Sequence, residues 1–324
     1  MSRTRTLPIA LLTLAALTAC GSPDEAPRVT TAYELPSERA YPEGIALDTR
    51  TGDTYVGSYS TGAIYRATAD AERAEVFLPE GTDGRKTANG LKVDGSGRLW
   101  VTDSTAGVAV YDTASRALIA RFDVPGAEPR FVNDVAITQD GTAYLTDSVR
   151  AVVYRVTPEQ VRAVAAQGGR GELTPRFELG GVIEPREPGS FNLNGLVADP
   201  SGRYLLVVDM VGGDLYRVDL TADAPIRKVE LNGGDLTNGD GLELRGDTLW
   251  AVHNTTNSIS RWTLTDDGGS ARLDERLTDE TLSIPTTLVR DGERTLVVAS
   301  QFDKGGPMGP GTPSAFRVVS VAGI

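Results

Sequence analysis

The sequence predicts an all-β fold, a six-bladed β-propeller closed by an N-terminal strand in the last blade. Three observations support this prediction. A strand–turn–strand motif recurs six times, an aromatic residue follows the motif start by 21 or 22 residues in five repeats and by 30 in the sixth, and the 324 residues include 36 glycines, which suit a turn-rich β protein. Four short strands in each repeat of about 45 residues are typical of propeller blades.

Each repeat opens with a polar residue just before an apolar strand. The six openings are Glu43 (EGIAL), Asn89 (NGLKV), Asn133 (NDVAI), Asn194 (NGLVA), Asp240 (DGLEL) and Thr286 (TTLVR). Successive openings are 46, 44, 61, 46 and 46 residues apart. The aromatics on the third strands are Tyr65, Tyr111, Tyr154, Tyr216, Trp262 and Phe316. A register this regular indicates one structural unit repeated around a ring.

Closure of the ring needs one strand from the other end of the chain. The last repeat stops at Ile324 without a fourth strand, and Val29–Leu35, which alternates apolar and polar residues, can supply it. Such pairing removes exposed sheet edges.

Two repeats are longer than the others. Pro158–Gln167 predicts a short rim helix with proline at its first position, and Phe302–Pro313 is too rich in Gly and Pro for regular structure.

The first 28 residues predict a targeting segment. A short basic stretch precedes the apolar run Leu7–Leu17, which is too short to span a bilayer. Small residues then lead to Cys20, the only cysteine, in a pattern that resembles a bacterial lipobox. We therefore expect a lipoprotein signal peptide at 1–19, lipidation of Cys20, a flexible tether at 20–28 and the propeller at 29–324. The alternative is a free cysteine at an ordinary cleavage site.

These features also predict location and partners. A lipid anchor at Cys20 would hold the domain on the outer face of the bacterial cytoplasmic membrane, in the periplasm or outside the cell. The net charge is −12 and the isoelectric point is near 4.7. Such an acidic surface repels phosphate backbones, so we expect a small-molecule substrate and no nucleic acid.

The six openings should converge at one end of the central channel, because the first strand of each blade lines that channel. All six side chains offer oxygen, and Glu43 and Asp240 are carboxylates. Ca²⁺ takes six to eight oxygen ligands, whereas Zn²⁺ prefers His and Cys, of which the chain has one each. We expect a divalent cation at the axis, with Ca²⁺ the best match. The alternative is that each Asn or Asp only caps a loop before a strand.

The only histidine, His253, ends the second strand of the fifth repeat, on the face where the openings lie. A pKa near neutrality would suit His253 for general acid–base chemistry; the alternative is a satisfied residue packed between blades. Asp103, Asp147 and Asp209 hold similar positions in their repeats. We expect these three to cap the turn after the second strand or to bond a neighbouring blade.

The openings Glu43-Gly44, Asn133-Asp134, Asn194-Gly195-Leu196 and Asp240-Gly241-Leu242, in this order and spacing, resemble the regucalcin/gluconolactonase family of six-bladed propellers, which includes diisopropyl fluorophosphatase-like enzymes. The resemblance covers about residues 29–324. It implies that Glu43, Asn194 and Asp240 bind the divalent metal. It also implies that Asn133 contacts water or substrate at the metal and that Asp240 acts as base or nucleophile.

The chain departs from this family at one position. Family lactonases often place an arginine two residues before the Asn-Asp pair, where this chain has Phe131, and the nearest arginine is Arg130. Asn89 is an additional amide that could serve substrate or metal. Asn89, His253 and Arg130 are therefore the predicted substrate-facing residues, with solvated loop side chains as the alternative for Arg130.

Together these features predict a Ca²⁺-dependent hydrolase of lactones or related esters, similar to gluconolactonase, with Asp240 and Asn133 in the catalytic roles. The alternative is a lipoprotein propeller without catalytic activity, which binds a ligand or partner and uses the metal only for structure.

Overall fold

The computed structural model describes residues 28–223 and 225–324. They form six sheets, each with at least four strands. The innermost strands of consecutive sheets contact one another, and the innermost strand of the sixth sheet contacts that of the first, so the sheets close into a ring. The predicted six-bladed β-propeller is confirmed. The predicted signal peptide and Cys20 lie outside the described residues.

Each blade has four antiparallel strands, counted outward from the axis. The first strands are Pro42–Leu47, Leu91–Val93, Val132–Ile137, Leu193–Ala198, Gly239–Arg245 and Pro285–Asp291. The second strands are Thr54–Ser58, Arg98–Asp103, Ala143–Asp147, Tyr204–Asp209, Thr248–His253 and Arg294–Ala299. The third strands are Ile64–Ala67, Gly107–Asp112, Val152–Val156, Asp214–Asp219, Ser258–Thr265 and Arg317–Val321. The fourth strands are Glu75–Leu78, Leu118–Asp123, Thr174–Glu178, Ile226–Lys228, Ser270–Thr278 and Val29–Glu34.

The N-terminal strand closes the last blade, as the alternating pattern predicts. Val29–Glu34 pairs antiparallel with Arg317–Val321. Arg28 reinforces the closure, because its guanidinium donates to the carbonyl oxygens of Ala322 and Gly323 and forms an ion pair with Glu275 at 2.8 Å. The two ends of the chain are thus joined in one sheet, and the ring has no open edge between blades six and one.

Two short strands join the fourth strand of a blade in parallel. Arg170–Glu172 lies in the insertion of blade three but pairs with Leu118–Asp123 of blade two. Glu230–Asn232 lies between blades four and five and pairs with Ser270–Thr278 of blade five. These pairings widen the rim of blades two and five to five strands.

The rim helix spans Pro158–Ala166, one residue shorter than predicted. It begins with a capping box, in which Thr157 and Gln160 each accept the other's backbone N–H through their side chains. Short 3-10 helices span Thr82–Gly84, Asp266–Gly268 and Glu280–Leu282. Residues 302–316 contain neither helix nor strand, as their Gly and Pro content predicts. Among the described residues, none of the helices has the length and apolar character needed to cross a bilayer.

The core lies between neighbouring blades. The six aromatics of the repeat are at most 3% exposed, and each belongs to an apolar cluster formed by adjoining sheets. Five lie on third strands, and Phe316 directly precedes the third strand of blade six. These six residues are the ones whose spacing predicts the repeat. Their register is therefore set by packing, because each ring must reach the same layer between two blades.

Candidate metal centre

Each predicted opening lies at a bulge near the start of a first strand. In blade one, Pro42 pairs with Ser58 and Ile45 pairs with Val56, so that Glu43 and Gly44 lie opposite Gly57 alone. The same two-against-one register occurs in blades three, four, five and six. In blade two, Thr102 bonds the backbone of both Asn89 and Gly90. A bulge redirects the side chain of its extra residue, and here it does so at every opening.

Glycine at the second position lets neighbouring blades approach closely. A Cβ atom on Gly44 would lie 2.0 Å from the carbonyl oxygen of Asn89, and one on Gly195 would lie 2.2 Å from that of Asp240. Blade three has Asp134 at this position instead. Its carboxylate accepts the backbone N–H groups of Val135 and Leu196 at 2.8 and 3.3 Å, so it replaces close backbone packing with hydrogen bonds.

Hydroxyl groups connect the openings around the ring. Thr102 donates to the carbonyl oxygen of Asn133 at 2.6 Å, and Thr146 donates to that of Asn194 at 2.7 Å. Thr286 donates to the carbonyl oxygen of Glu43 at 2.6 Å. Each bond joins one blade to the next, so the backbone at the openings is held by its neighbours.

The structure buries all six openings. The exposed fractions of Glu43, Asn89, Asn133, Asn194, Asp240 and Thr286 lie between 1% and 6%. Three of their side-chain oxygens are buried without a hydrogen-bond partner: Oε2 of Glu43, Oδ1 of Asn89 and Oδ1 of Asn133. An unpaired buried polar atom costs about 1–3 kcal/mol. Three on consecutive blades indicate a site that a cation would complete.

The electrostatics agree with this interpretation. Burial raises the pKa of the Glu43 carboxyl well above its ordinary value, and the charges of Asp240 and then Asp134 raise it further. Burial raises the pKa of Asp240 to about 8, although a hydrogen bond from Asn254 opposes the shift. These carboxyl groups therefore need either protons or a cation at neutral pH.

The ligand set at the axis must include amides. Within 28–223 and 225–324, no cluster of three or more His, Cys, Asp or Glu side chains is arranged to hold a metal. Glu43 and Asp240 supply carboxylates, and the remaining unpaired oxygens belong to Asn89 and Asn133. Carboxylate and amide oxygens suit a hard divalent cation such as Ca²⁺, so the residues present fit the predicted metal.

In blades three to six, the residue after the second strand contacts the opening of the same blade through its side chain, a support that the sequence pattern did not indicate. Asn254 donates from Nδ2 to Oδ2 of Asp240 at 3.1 Å, and Ser148 Oγ accepts from Nδ2 of Asn133 at 3.0 Å. Met210 Sδ accepts from Nδ2 of Asn194 at 3.5 Å. These residues occupy the same position in their blades, directly after the second strand, so an alignment of the repeats that extends one residue beyond this strand identifies them.

His253 is fully buried, and both of its ring nitrogens have partners. Nδ1 lies 2.9 Å from the carbonyl oxygen of Thr237, which can only accept, so Nδ1 carries the proton. Nε2 lies 2.7 Å from Ser260 Oγ and accepts its hydrogen. Burial lowers the pKa of His253 to about 4. The geometry therefore favours the alternative interpretation, a satisfied residue that holds the loop before blade five.

The three matching aspartates cap turns. Asp147 accepts the N–H groups of Val149 and Arg150 in the turn that follows and of Phe131 in the loop that precedes the blade. Asp103 accepts equivalent bonds from Thr105 and Lys86. Asp209 bonds Gly212 N and the guanidinium of Arg186. Each aspartate therefore fixes the loop that leads into its own blade.

The guanidinium of Arg130 is largely occupied by contacts with neighbouring loop residues. Its guanidinium donates to the carbonyl oxygens of Thr105 and Gly126 at 2.7 and 3.0 Å and lies 3.1 Å from the carboxylate of Glu128. The structure thus gives Arg130 a positioning role in the loop before blade three, whereas Asn89 retains a free oxygen at the axis.

Solved structures with the same fold include regucalcin from Agrobacterium tumefaciens, described as a calcium-binding protein, and a gluconolactonase from Xanthomonas campestris. Regucalcin has a TM-score of 0.64 at 15% identity over 88% of this chain and 90% of that one. The gluconolactonase has a TM-score of 0.61 at 16% identity over 91% and 89%. Virginiamycin B lyase from Staphylococcus aureus has a TM-score of 0.58 at 13% identity over 91% and 99%. The sequence matches no protein-family model and no curated relative.

Proposed function

We propose that this protein is a Ca²⁺-dependent hydrolase of lactones or related esters, anchored to the outer face of a membrane through Cys20. The observation that carries the proposal is the set of buried, unpartnered oxygens of Glu43, Asn89 and Asn133 beside Asp240. A buried polar centre with raised carboxyl pKa values is typical of a functional site.

Glu43, Asn194 and Asp240 would hold the cation, because two carboxylates match its charge and the amide adds an oxygen. The calcium-binding regucalcin and the gluconolactonase with this fold support both the metal and the substrate class. When bound, a divalent cation would polarise an ester carbonyl and make a water molecule more acidic.

The chain's own residues supply the proton transfer and the orientation of water. Asn254 fixes the carboxylate of Asp240 through Oδ2, so that Asp240 can accept a proton from water or attack the substrate itself. Ser148 engages Nδ2 of Asn133 and leaves its Oδ1 free to accept a hydrogen bond from water or substrate. Asn89 offers a second free oxygen on the neighbouring blade.

The lyase with this fold suggests a different chemistry, which the histidine of this chain does not favour. A variant of the Staphylococcus enzyme with one histidine replaced by alanine is described as catalytically inactive. In this chain His253 is 0% exposed and uses both ring nitrogens within the fold. Hydrolysis by a carboxylate therefore agrees better with the site than elimination by a histidine.

A binding propeller with a structural metal is the second candidate. It is favoured by the commitment of His253 and Arg130 to loop contacts, which leaves Asp240 without a separate acid or base partner. Both candidates need the cation, but only the hydrolase turns over substrate.

A lactone panel separates the two candidates. Aliphatic, aromatic and sugar lactones are offered to the purified protein with Ca²⁺ and with EDTA. We expect hydrolysis with Ca²⁺ only, and a loss of about 10²- to 10⁴-fold in kcat/KM for Asp240→Asn. Asp70→Asn, on an exposed turn, is the matched control and should keep full activity. Hydrolysis that survives in Asp240→Asn would contradict the mechanism, and no hydrolysis of any lactone would favour the binding propeller.

A further inference from the structure

An aromatic pair lies in the loops that lead into blades three and four. Phe131 and Phe191 meet edge to face, with ring centroids 4.8 Å apart and an interplanar angle of 63°. Phe191 is 40% exposed, and neither ring belongs to the apolar clusters that join the blades. The pair therefore adds little to the propeller core and leaves part of an aromatic surface open to solvent.

Ser148 ties this pair to the metal centre. Its N–H donates to the carbonyl oxygen of Phe131 at 2.8 Å, and its hydroxyl accepts from the side chain of Asn133 at 3.0 Å. Its carbonyl oxygen accepts the N–H of Asn192, the residue after Phe191, at 2.8 Å. Both aromatic loops and the amide of Asn133 thus meet at one residue.

The neighbouring residues of blade four are also apolar. Met210 contacts the side chain of Asn194 and donates its N–H to the carbonyl oxygen of Asn192 at 3.0 Å. Val211 follows and is 54% exposed. Exposed apolar side chains beside a polar site are typical of a ligand surface.

The arginines of these two loops already have partners within the fold. Arg186 donates to Asn192 and Asp209 at 2.6 and 2.7 Å, and Arg130 bonds two loop carbonyls. Neither arginine is therefore free to bind the hydroxyl groups of a polyhydroxylated substrate. An apolar group would meet aromatic and aliphatic side chains there.

We propose that the substrate carries an apolar ring or chain next to its reacting carbonyl, and that Phe131 and Phe191 bind this group. The proposal rests on the hydrolase function proposed above and specifies its substrate class. The site would then prefer aromatic or alkyl lactones and esters to sugar lactones. Phe191 is the specificity residue that can be changed with least effect on the fold, because it is the more exposed of the two rings.

The test compares kcat/KM for dihydrocoumarin and glucono-δ-lactone in the Ca²⁺-loaded protein. We expect dihydrocoumarin to be preferred. Phe191→Ala should lower kcat/KM for it by about 3- to 10-fold, the range of one aromatic contact, and leave glucono-δ-lactone unchanged. Phe191→Leu should have a kcat/KM for dihydrocoumarin between those of the wild-type protein and Phe191→Ala. Val76→Ala, which changes a side chain 44% exposed on an outer strand, is the control and should alter neither substrate. Equal effects of Phe191→Ala on both lactones, or none, would overturn the proposal.

A second measurement separates this proposal from the hydrolase function. Dihydroquinolinone, the lactam analogue of dihydrocoumarin, resists hydrolysis, and its binding can be followed by calorimetry. Binding that weakens in Phe191→Ala supports recognition of the apolar group even if no lactone is hydrolysed. If the wild-type protein binds no lactam while it hydrolyses lactones, the aromatic surface is not the substrate site and the proposal fails.

Discussion

Asn254 donates a hydrogen bond from Nδ2 to Oδ2 of Asp240 over 3.1 Å, and both residues are buried. An equivalent contact occurs in three other blades. Ser148, Met210 and Ser300 hold the same position in their blades and bond the openings Asn133, Asn194 and Thr286. These four openings therefore receive a side-chain hydrogen bond from the end of the adjacent strand.

The Asn254 contact should set the pH at which Asp240 works. The hydrogen bond lowers the pKa of Asp240, so Asn254→Ala should raise it and shift the acidic limb of the kcat/KM profile to higher pH. We expect kcat/KM to fall most at the acidic end of the profile and to recover at higher pH, because Asp240 must be deprotonated to act as base or nucleophile. Ser104→Ala is the control, since the Ser104 side chain bonds Thr87 rather than an opening. A profile that falls uniformly at all pH values would contradict this role.

The calcium-free protein should lose stability as the pH rises. The pKa of Asp240 is raised from 3.8 to about 8 in the folded chain, and that of Glu43 is also raised. Between about pH 4 and pH 8 these two carboxyl groups bind more protons in the folded state than in the unfolded state, which outweighs the opposite effect of the single His253, so the free energy of unfolding falls with pH. In EDTA the melting temperature should drop across this window, and the drop should be smaller in Asp240→Asn. A melting temperature that rises from pH 5 to pH 8 in EDTA would contradict the raised pKa values.

Gly195 should be essential for the approach of blades four and five. Gly195→Ala places a Cβ atom 2.2 Å from the carbonyl oxygen of Asp240, so the backbone must shift. We expect a loss of about 1–3 kcal/mol in the free energy of unfolding, together with weaker calcium binding. Gly180→Ala meets nothing within 4 Å and is the matched control. Denaturant titration measures the free energy of unfolding of both variants. Equal stability of Gly195→Ala and Gly180→Ala would show that blades four and five are not closely packed at Gly195.

His253 should matter for stability rather than for chemistry. His253→Ala leaves the carbonyl oxygen of Thr237 and the hydroxyl of Ser260 without their partner, so we expect a loss of about 2–3 kcal/mol. The variant should retain kcat at a temperature where it is folded. Asp209→Ala, at the matching position of blade four, should destabilise the protein in a similar way. A large fall in kcat without a fall in stability would show that His253 takes part in catalysis.

The repeat made most of the fold predictable from the sequence. Val29–Glu34 was identifiable as the closing strand because the last repeat lacks one, and Pro158–Ala166 as a helix because of its residue types. The parallel strand Arg170–Glu172 was not predictable, since its pairing with blade two depends on where the insertion folds back.

The residues at the openings were predictable from the sequence, but the hydrogen bonds and bulges that orient their side chains were not. Glu43 and Asp240 stand out because they are acidic at openings that are otherwise amide or hydroxyl. The bulge at each opening leaves no separate signal in the sequence, and the role of Asn254 depends on register one residue beyond the strand. His253 looked suited to catalysis from its residue type, whereas its tautomer and burial depend on Thr237 and Ser260.

The most direct test of the metal centre is a calorimetric titration of the EDTA-treated, dialysed protein with Ca²⁺. We predict one calcium ion bound per chain, with affinity at least about 10-fold weaker in Glu43→Gln, equivalent to about 1.4 kcal/mol. Asp70→Asn should bind as the wild-type protein does. A wild-type protein that binds no calcium, or a Glu43→Gln variant that binds it with unchanged affinity, would contradict a cation site at the axis.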